Sequence, residues 1–105
     1  MNIDLSNIPA REIMPGYFGK FFHTQHMTLA YWDVKEGSVV PEHSHMNEQV
    51  MQVLEGSFEF TVDGITNTYE AGDIAVIPAN VPHGGKALTA CRLMDVFSPA
   101  REDYM

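Results

Sequence analysis

His43, His45 and His83 are the side chains of this sequence best suited to chemistry, and Gln49 lies close to the first two. The first two imidazoles sit in the run Gly37-Ser-Val-Val-Pro-Glu-His-Ser-His-Met-Asn-Glu-Gln-Val-Met-Gln-Val-Leu-Glu-Gly56. Imidazoles at i and i+2 on an extended strand share one face, because side chains alternate with a period of two. Gln49 has the same parity if the extended backbone continues, and Glu48 then points the other way. His83 arrives from a separate segment, Gly72-Asp-Ile-Ala-Val-Ile-Pro-Ala-Asn-Val-Pro-His83, just after a turn bracketed by Pro78 and Pro82. Three imidazole nitrogens and one amide oxygen projecting into one cavity describe an open mononuclear metal site. Glu48 is the alternative fourth ligand, and a local bulge would be needed to turn it inward. His23 and His26 have no comparable partner and read as exposed or edge-strand residues.

An amide in place of a carboxylate leaves such a site with one more unit of positive charge. That weakens the hold on a hard divalent ion while making the ion a stronger Lewis acid toward a bound anion. It also disfavours higher oxidation states. The expected cofactor is one divalent transition metal, with Ni, Zn, Fe and Mn all admissible.

A second cluster lies near the C-terminus, Asp95-Val-Phe97-Ser-Pro-Ala-Arg101-Glu-Asp103. Asp95 and Phe97 have equal parity on a final strand, so both can face the cavity, and Pro99 ends that strand. Two arrangements remain open on spacing alone. Either acid, ring and cation form a substrate clamp, or Phe97 is core and Arg101 pairs with Asp95, Glu102 or Asp103 at the surface.

The elements that must carry these residues are short strands. Thr28–Val34, Gln49–Leu54, Ser57–Val62, Ile65–Tyr69, Ile74–Ile77 and Cys91–Phe97 read as strands separated by Gly, Pro, Asn and Asp. Asp63-Gly64 is a hairpin signal, since both residues tolerate positive φ. Such closely spaced turns imply an all-β sandwich or barrel. The 105 residues are read as one domain, with an N-terminal arm over about 1–16 lying along an edge strand, a motif core at 37–83, and a C-terminal strand and tail at 90–105.

Composition narrows the partners. Hydrophobic residues make up 45% and charged ones 19%, a folded rather than disordered balance. A net charge of −8 with six scattered Lys and Arg argues against nucleic acid. No apolar run approaches the roughly 20 residues that span a bilayer. The start, Met-Asn-Ile-Asp-Leu-Ser, lacks the basic and apolar regions of a signal peptide. The single cysteine, Cys91, fits a reducing compartment, so the expected location is the cytoplasm.

The run from Gly37 to Gly56 resembles the first cupin motif, G-x5-H-x-H-x3/4-E-x6-G, with Gln49 standing where a glutamate ligand is usual. Gly72, Pro78 and His83 resemble the second, G-x5-P-x-G-x2-H, with Asn80 replacing its middle glycine. The resemblance implies a cupin jelly-roll barrel. It also implies a homodimer, because N-terminal segments of related cupins pair across a dimer. Together with Asp95-x-Phe97-x3-Arg101, the ligand pattern is similar to the pectin-degradation cupin family known as KdgF. That resemblance implies metal ligation by His43, His45, Gln49 and His83, and a substrate site lined by Asp95, Phe97 and Arg101. The implied substrate is a small acidic sugar derivative, a 4,5-unsaturated monouronate from pectin or alginate, opened without oxidation to a linear 5-keto-4-deoxyuronate. Asp95 would then be the acid/base, Arg101 a catalytic cation that also binds the substrate carboxylate, and Phe97 the pocket wall. The scaffold hosts other activities, so a metal-dependent dioxygenase of an enolic substrate, a non-enzymatic sugar-binding module and a storage-type cupin are the alternatives.

Overall fold

Alternation of buried and outward side chains along the longer strands builds this molecule. A computed structural model describes residues 1–105. Ten strands run in chain order: β1 Arg11–Met14, β2 Tyr17–His23, β3 Thr28–Val34, β4 Val39–His43, β5 Glu48–Glu55, β6 Ser57–Val62, β7 Ile65–Glu70, β8 Ile74–Ile77, β9 His83–Ala87 and β10 Cys91–Ser98. Two single 3-10 turns, Leu5–Asn7 and Glu102–Tyr104, flank them.

The strands form two antiparallel sheets packed face to face. One has six strands in the order β1-β2-β3-β10-β5-β8 and the other four in the order β4-β9-β6-β7. This is the expected all-β jelly roll. On β10, Cys91, Leu93, Asp95 and Phe97 are buried while the residues between them face outward. Trp32, Val34, Met51, Val53 and Ile77 join them from the six-stranded sheet, facing Phe58 and Phe60 of the other. Edge-to-face contacts such as Phe21 with Trp32, at 5.3 Å between centroids, add about 0.5–1.5 kcal/mol each beyond area burial.

Turn chemistry sets the register. Asp63 and Gly64 take φ of 51° and 78°, closing the expected hairpin between β6 and β7. Gly56 turns the chain from β5 into β6 at φ 88°, and a Cβ there would lie 2.3 Å from the Ala90 carbonyl oxygen. Asn80 takes φ 65° at the motif position where glycine is usual. Its backbone N–H donates to the His45 carbonyl at 2.8 Å, tying the turn before β9 to the segment after β4.

The N-terminal arm does add to an edge, since β1 pairs antiparallel with β2. The strand reading passed over β2, β4 and β9 as sheet members. β4 is short and half polar, and β9 opens His-Gly-Gly, so neither shows a strong period-two apolar pattern.

Candidate metal centre

Three strands and one connecting segment bring the expected ligands together between the sheets. His43 ends β4 and His83 begins β9, where the two are direct cross-strand partners. His45 corrects the expectation of a shared strand. The chain leaves β4 at His43 and enters β5 at Glu48, crossing from one sheet to the other, and His45 lies in that crossing. A register shift already interrupts the ladder between Val40 and His43. The imidazoles therefore converge because the chain folds over the cavity mouth, not because one strand presents both. Gln49 is buried on the inner face of β5, while Glu48 is exposed and paired in regular register with Ser98, so no bulge turns it inward.

One hydrogen-bond pattern repeats at all three imidazoles. Nδ1–H of His43 donates to the Pro41 carbonyl at 2.9 Å, that of His45 to Asn47 at 3.0 Å, and that of His83 to Val81 at 2.9 Å. A carbonyl oxygen only accepts, so each Nδ1 carries the proton and each neutral ring presents the bare lone pair of Nε2. The three ligand atoms lie within 4.8 Å of one another. Nε2 of His83 is buried without any hydrogen-bond partner. Nε2 of His45 faces Oε1 of Gln49 at 3.1 Å, one acceptor against another. An orphaned buried lone pair and two opposed acceptors are costly in a protein interior unless a cation lies among them. The donor set fits a divalent transition metal. Burial keeps the ring nitrogens available by pushing His83 down to about 4, and burial followed by the nearby Arg101 charge also lowers His45.

Asp95 adjoins this centre directly. Its Oδ1 accepts from Nε2 of Gln49 at 3.0 Å and its Oδ2 from Nε1 of Trp32 at 2.9 Å. Burial pushes the carboxyl up to about 6, against the opposing pull of the Gln49 and Trp32 hydrogen bonds and the Arg101 charge. Phe97 is buried beside it, its ring edge-to-face with His45 at 5.7 Å. Arg101 combines the two arrangements that spacing left open. Its guanidinium lies over Phe97 at 4.9 Å and Tyr104 at 4.3 Å along the cavity wall, yet it forks onto Asp103 from Nε at 2.8 Å and Nη2 at 2.5 Å. Those bonds hold Asp103 below the usual carboxylate range. No hydrogen bond joins Arg101 to Asp95. The cavity of about 60 Å³ is walled by His43, Gln49, His83, Asp95, Phe97 and Arg101, together with core side chains.

Two wall residues were not singled out in the sequence. Trp32 has the parity of the buried face of β3, and a buried indole N–H requires an acceptor, so the need for a partner was readable but not its identity. Tyr104 lies beyond the last strand, and only the fold shows it stacked on Phe21 at 4.7 Å and closing one side of the cavity.

A double-sheet jelly roll with an inward cluster of three histidines defines a cupin. Residues 30–97 match the family profile described as cupin domain, and the chain belongs to that family. Among its relatives, the pectin degradation protein KdgF of Dickeya dadantii (strain 3937) is 32% identical over 72 residues, which are 67% of this chain. The match spans 66% of that protein, a little under two thirds of its length. An RmlC-like cupin from Shewanella frigidimarina NCIMB 400 superposes with a TM-score of 0.91 at 31% identity, over 95% of this chain and 91% of its own. KdgF from Halomonas sp. superposes with a TM-score of 0.87 at 29% identity, over 91% and 90% of the two chains. No helix is long and apolar enough to cross a membrane.

Proposed function

We propose that this cupin acts in pectin breakdown by opening the ring of a 4,5-unsaturated monouronate, a non-oxidative isomerisation. The observation that carries the reading is the placement of Asp95 and Arg101 on the wall of the cavity that His43, His83 and Gln49 also line. The likeness to two KdgF proteins supports the substrate class.

The proposed ligands are His43, His45, Gln49 and His83, and a divalent ion there would supply Lewis-acid polarisation of a substrate oxygen. The rest of the chemistry belongs to side chains. Arg101 takes the substrate carboxylate through its planar fork, exchanging it for Asp103. Phe97 and Tyr104 wall the sugar and exclude water. Asp95 accepts the proton of the anomeric hydroxyl as the bond between C1 and the ring oxygen breaks. That step leaves an aldehyde at C1 and an enolate oxygen on C5. Asp95 returns the proton at C4, giving the 5-keto product with no net change of oxidation state. A buried carboxyl with a raised pKa suits both halves of this transfer.

The same reading has the protein work as a cytoplasmic homodimer. Cys91 is its lone thiol and forms no disulfide, and the outer face near β8 exposes Leu54, Ile74 and Val76.

The test is to mix metal-loaded protein with unsaturated monouronate and follow the ultraviolet absorbance of its conjugated double bond. Metal-dependent loss of absorbance without oxygen uptake supports ring opening. No loss in a fully loaded sample discards this substrate, and oxygen uptake with an enolic compound turns the reading to a dioxygenase.

A further inference from the structure

Asp95 touches the centre through its neighbour as well as through the cavity. Trp32, Asp95 and Gln49 lie on three adjacent strands, β3, β10 and β5. Asp95 is directly opposite Ala30 on one side and Met51 on the other. Trp32 and Gln49 are therefore its diagonal neighbours, each two residues from the direct partner and on the same inner face. The line of hydrogen bonds runs from the indole N–H to Oδ2, and from Oδ1 back to the Gln49 amide N–H.

An amide has two ends of similar shape and opposite polarity. At Gln49 one end faces Asp95 and the other faces Nε2 of His45. A carboxylate cannot donate, so it draws the NH2 end toward itself and leaves the oxygen toward the histidines. The geometry points to Asp95 as the positioning residue that fixes Gln49 with its oxygen toward the metal, and to Trp32 as the residue that holds Asp95 for that purpose. An N–H bound to a carboxylate also shifts electron density onto the amide oxygen. Part of the negative charge that a glutamate ligand would bring is thus retained, one hydrogen bond further back. The inference rests on the proposed ligand set and adds to it a reason why an amide works there.

Zn²⁺ titrations against a competing chelator separate the two ideas. The controls are the native protein and His83→Ala, which should lose the tight site. If His83→Ala binds as the native protein does, the ligand set itself is wrong. With that control passed, Asp95→Asn should weaken Zn²⁺ binding by about 10- to 100-fold. Its side-chain oxygen still accepts from Trp32, so its NH2 faces Gln49 and turns that amide end for end. Trp32→Phe keeps the ring packing, removes the donor, and should weaken binding by about threefold or more.

The decisive variant exchanges the groups. In Gln49→Glu with Asp95→Asn the total charge is unchanged, the asparagine donates to one glutamate oxygen, and the other oxygen faces His45. Affinity should return to within about threefold of the native value, which a purely structural role for Asp95 would not produce. Native-like affinity in Asp95→Asn overturns the inference, as does an exchanged protein no tighter than Asp95→Asn. If Asp95→Asn does not fold, as judged by thermal melting without metal, Trp32→Phe and the exchanged protein decide by the same criteria.

Discussion

Arg101 grips Asp103 through two parallel N–H bonds, Nε at 2.8 Å and Nη2 at 2.5 Å, while its plane lies over Phe97. The cation proposed to hold a substrate carboxylate is already holding one of the protein's own. Asp103 is more than half exposed, so water competes for it and the pair stabilises by less than about 1 kcal/mol. A substrate that adds metal contact can displace it.

This exchange predicts opposite effects at the two partners. Arg101→Lys loses the planar fork, and KM for the uronate should rise by about tenfold or more. Asp103→Asn weakens the internal competitor, and KM should fall by a few-fold, on the order of 1 kcal/mol or less. Steady-state kinetics at saturating metal measure both. Unchanged KM in the two variants would remove Arg101 from substrate binding.

Asp95→Asn, assayed with enough metal to fill its weakened site, should lose about 10²- to 10⁴-fold in kcat, the usual range for removing a general acid/base. Saturating metal separates this proton-transfer loss from the loss of affinity. Full turnover in loaded Asp95→Asn would leave Asp95 as a positioning residue alone.

Removing a ligand should remove metal and activity together. His45→Ala or His83→Ala should contain little bound metal by elemental analysis and show no turnover, with the β-fold retained by circular dichroism. In the native protein, metal at a hundredfold excess over Kd should add about 3 kcal/mol of stability, which a strong chelator abolishes. A melting temperature indifferent to both metal and chelator contradicts the site.

The pH dependence of the metal-free protein has a defined sign. His83 falls to about 4 in the fold from 6.5, and His45 is also lowered. Their stabilising contribution is present above pH 6.5 and is lost as pH falls through the folded values. Asp95 is raised from 3.8 to about 6, so its contribution is present at low pH and is lost as pH rises through 6. Between pH 6.5 and 4 the two effects oppose. Asp95→Asn removes one of them, and denaturant melts should show its stability falling more steeply with acid than that of the native protein. Parallel profiles would mean that Asp95 is not protonated in this window.

The strands were legible because alternation and turn residues are local. Cys91-Arg-Leu-Met-Asp-Val-Phe97 shows the parity of β10 directly, and Asp63-Gly64 announces its hairpin. The motif glycines and Asn80 mark real positive-φ turns. What sequence could not show was register. Parity places Asp95, Gln49 and Trp32 on inner faces, but only the alignment of β3, β10 and β5 makes them diagonal neighbours. Parity puts His45 on a strand with His43, because i and i+2 spacing looks the same whether the chain continues straight or crosses between sheets. The pairing of Asp103 with Arg101 depends on the 3-10 turn at Glu102–Tyr104, which is too short to leave a periodic signal.

The position of Trp32 has an optical consequence. It is the chain's one tryptophan, so all indole emission comes from a single place. That indole donates to Asp95, sits two hydrogen bonds from the Gln49 oxygen, and meets Tyr104 of the tail edge-to-face at 5.9 Å. Ion loading, protonation of the carboxyl or release of Tyr104 would each alter the surroundings of the same ring. The molecule carries its own fluorescent reporter, and the filling of the cavity can be followed in unlabelled protein, in real time and without turnover.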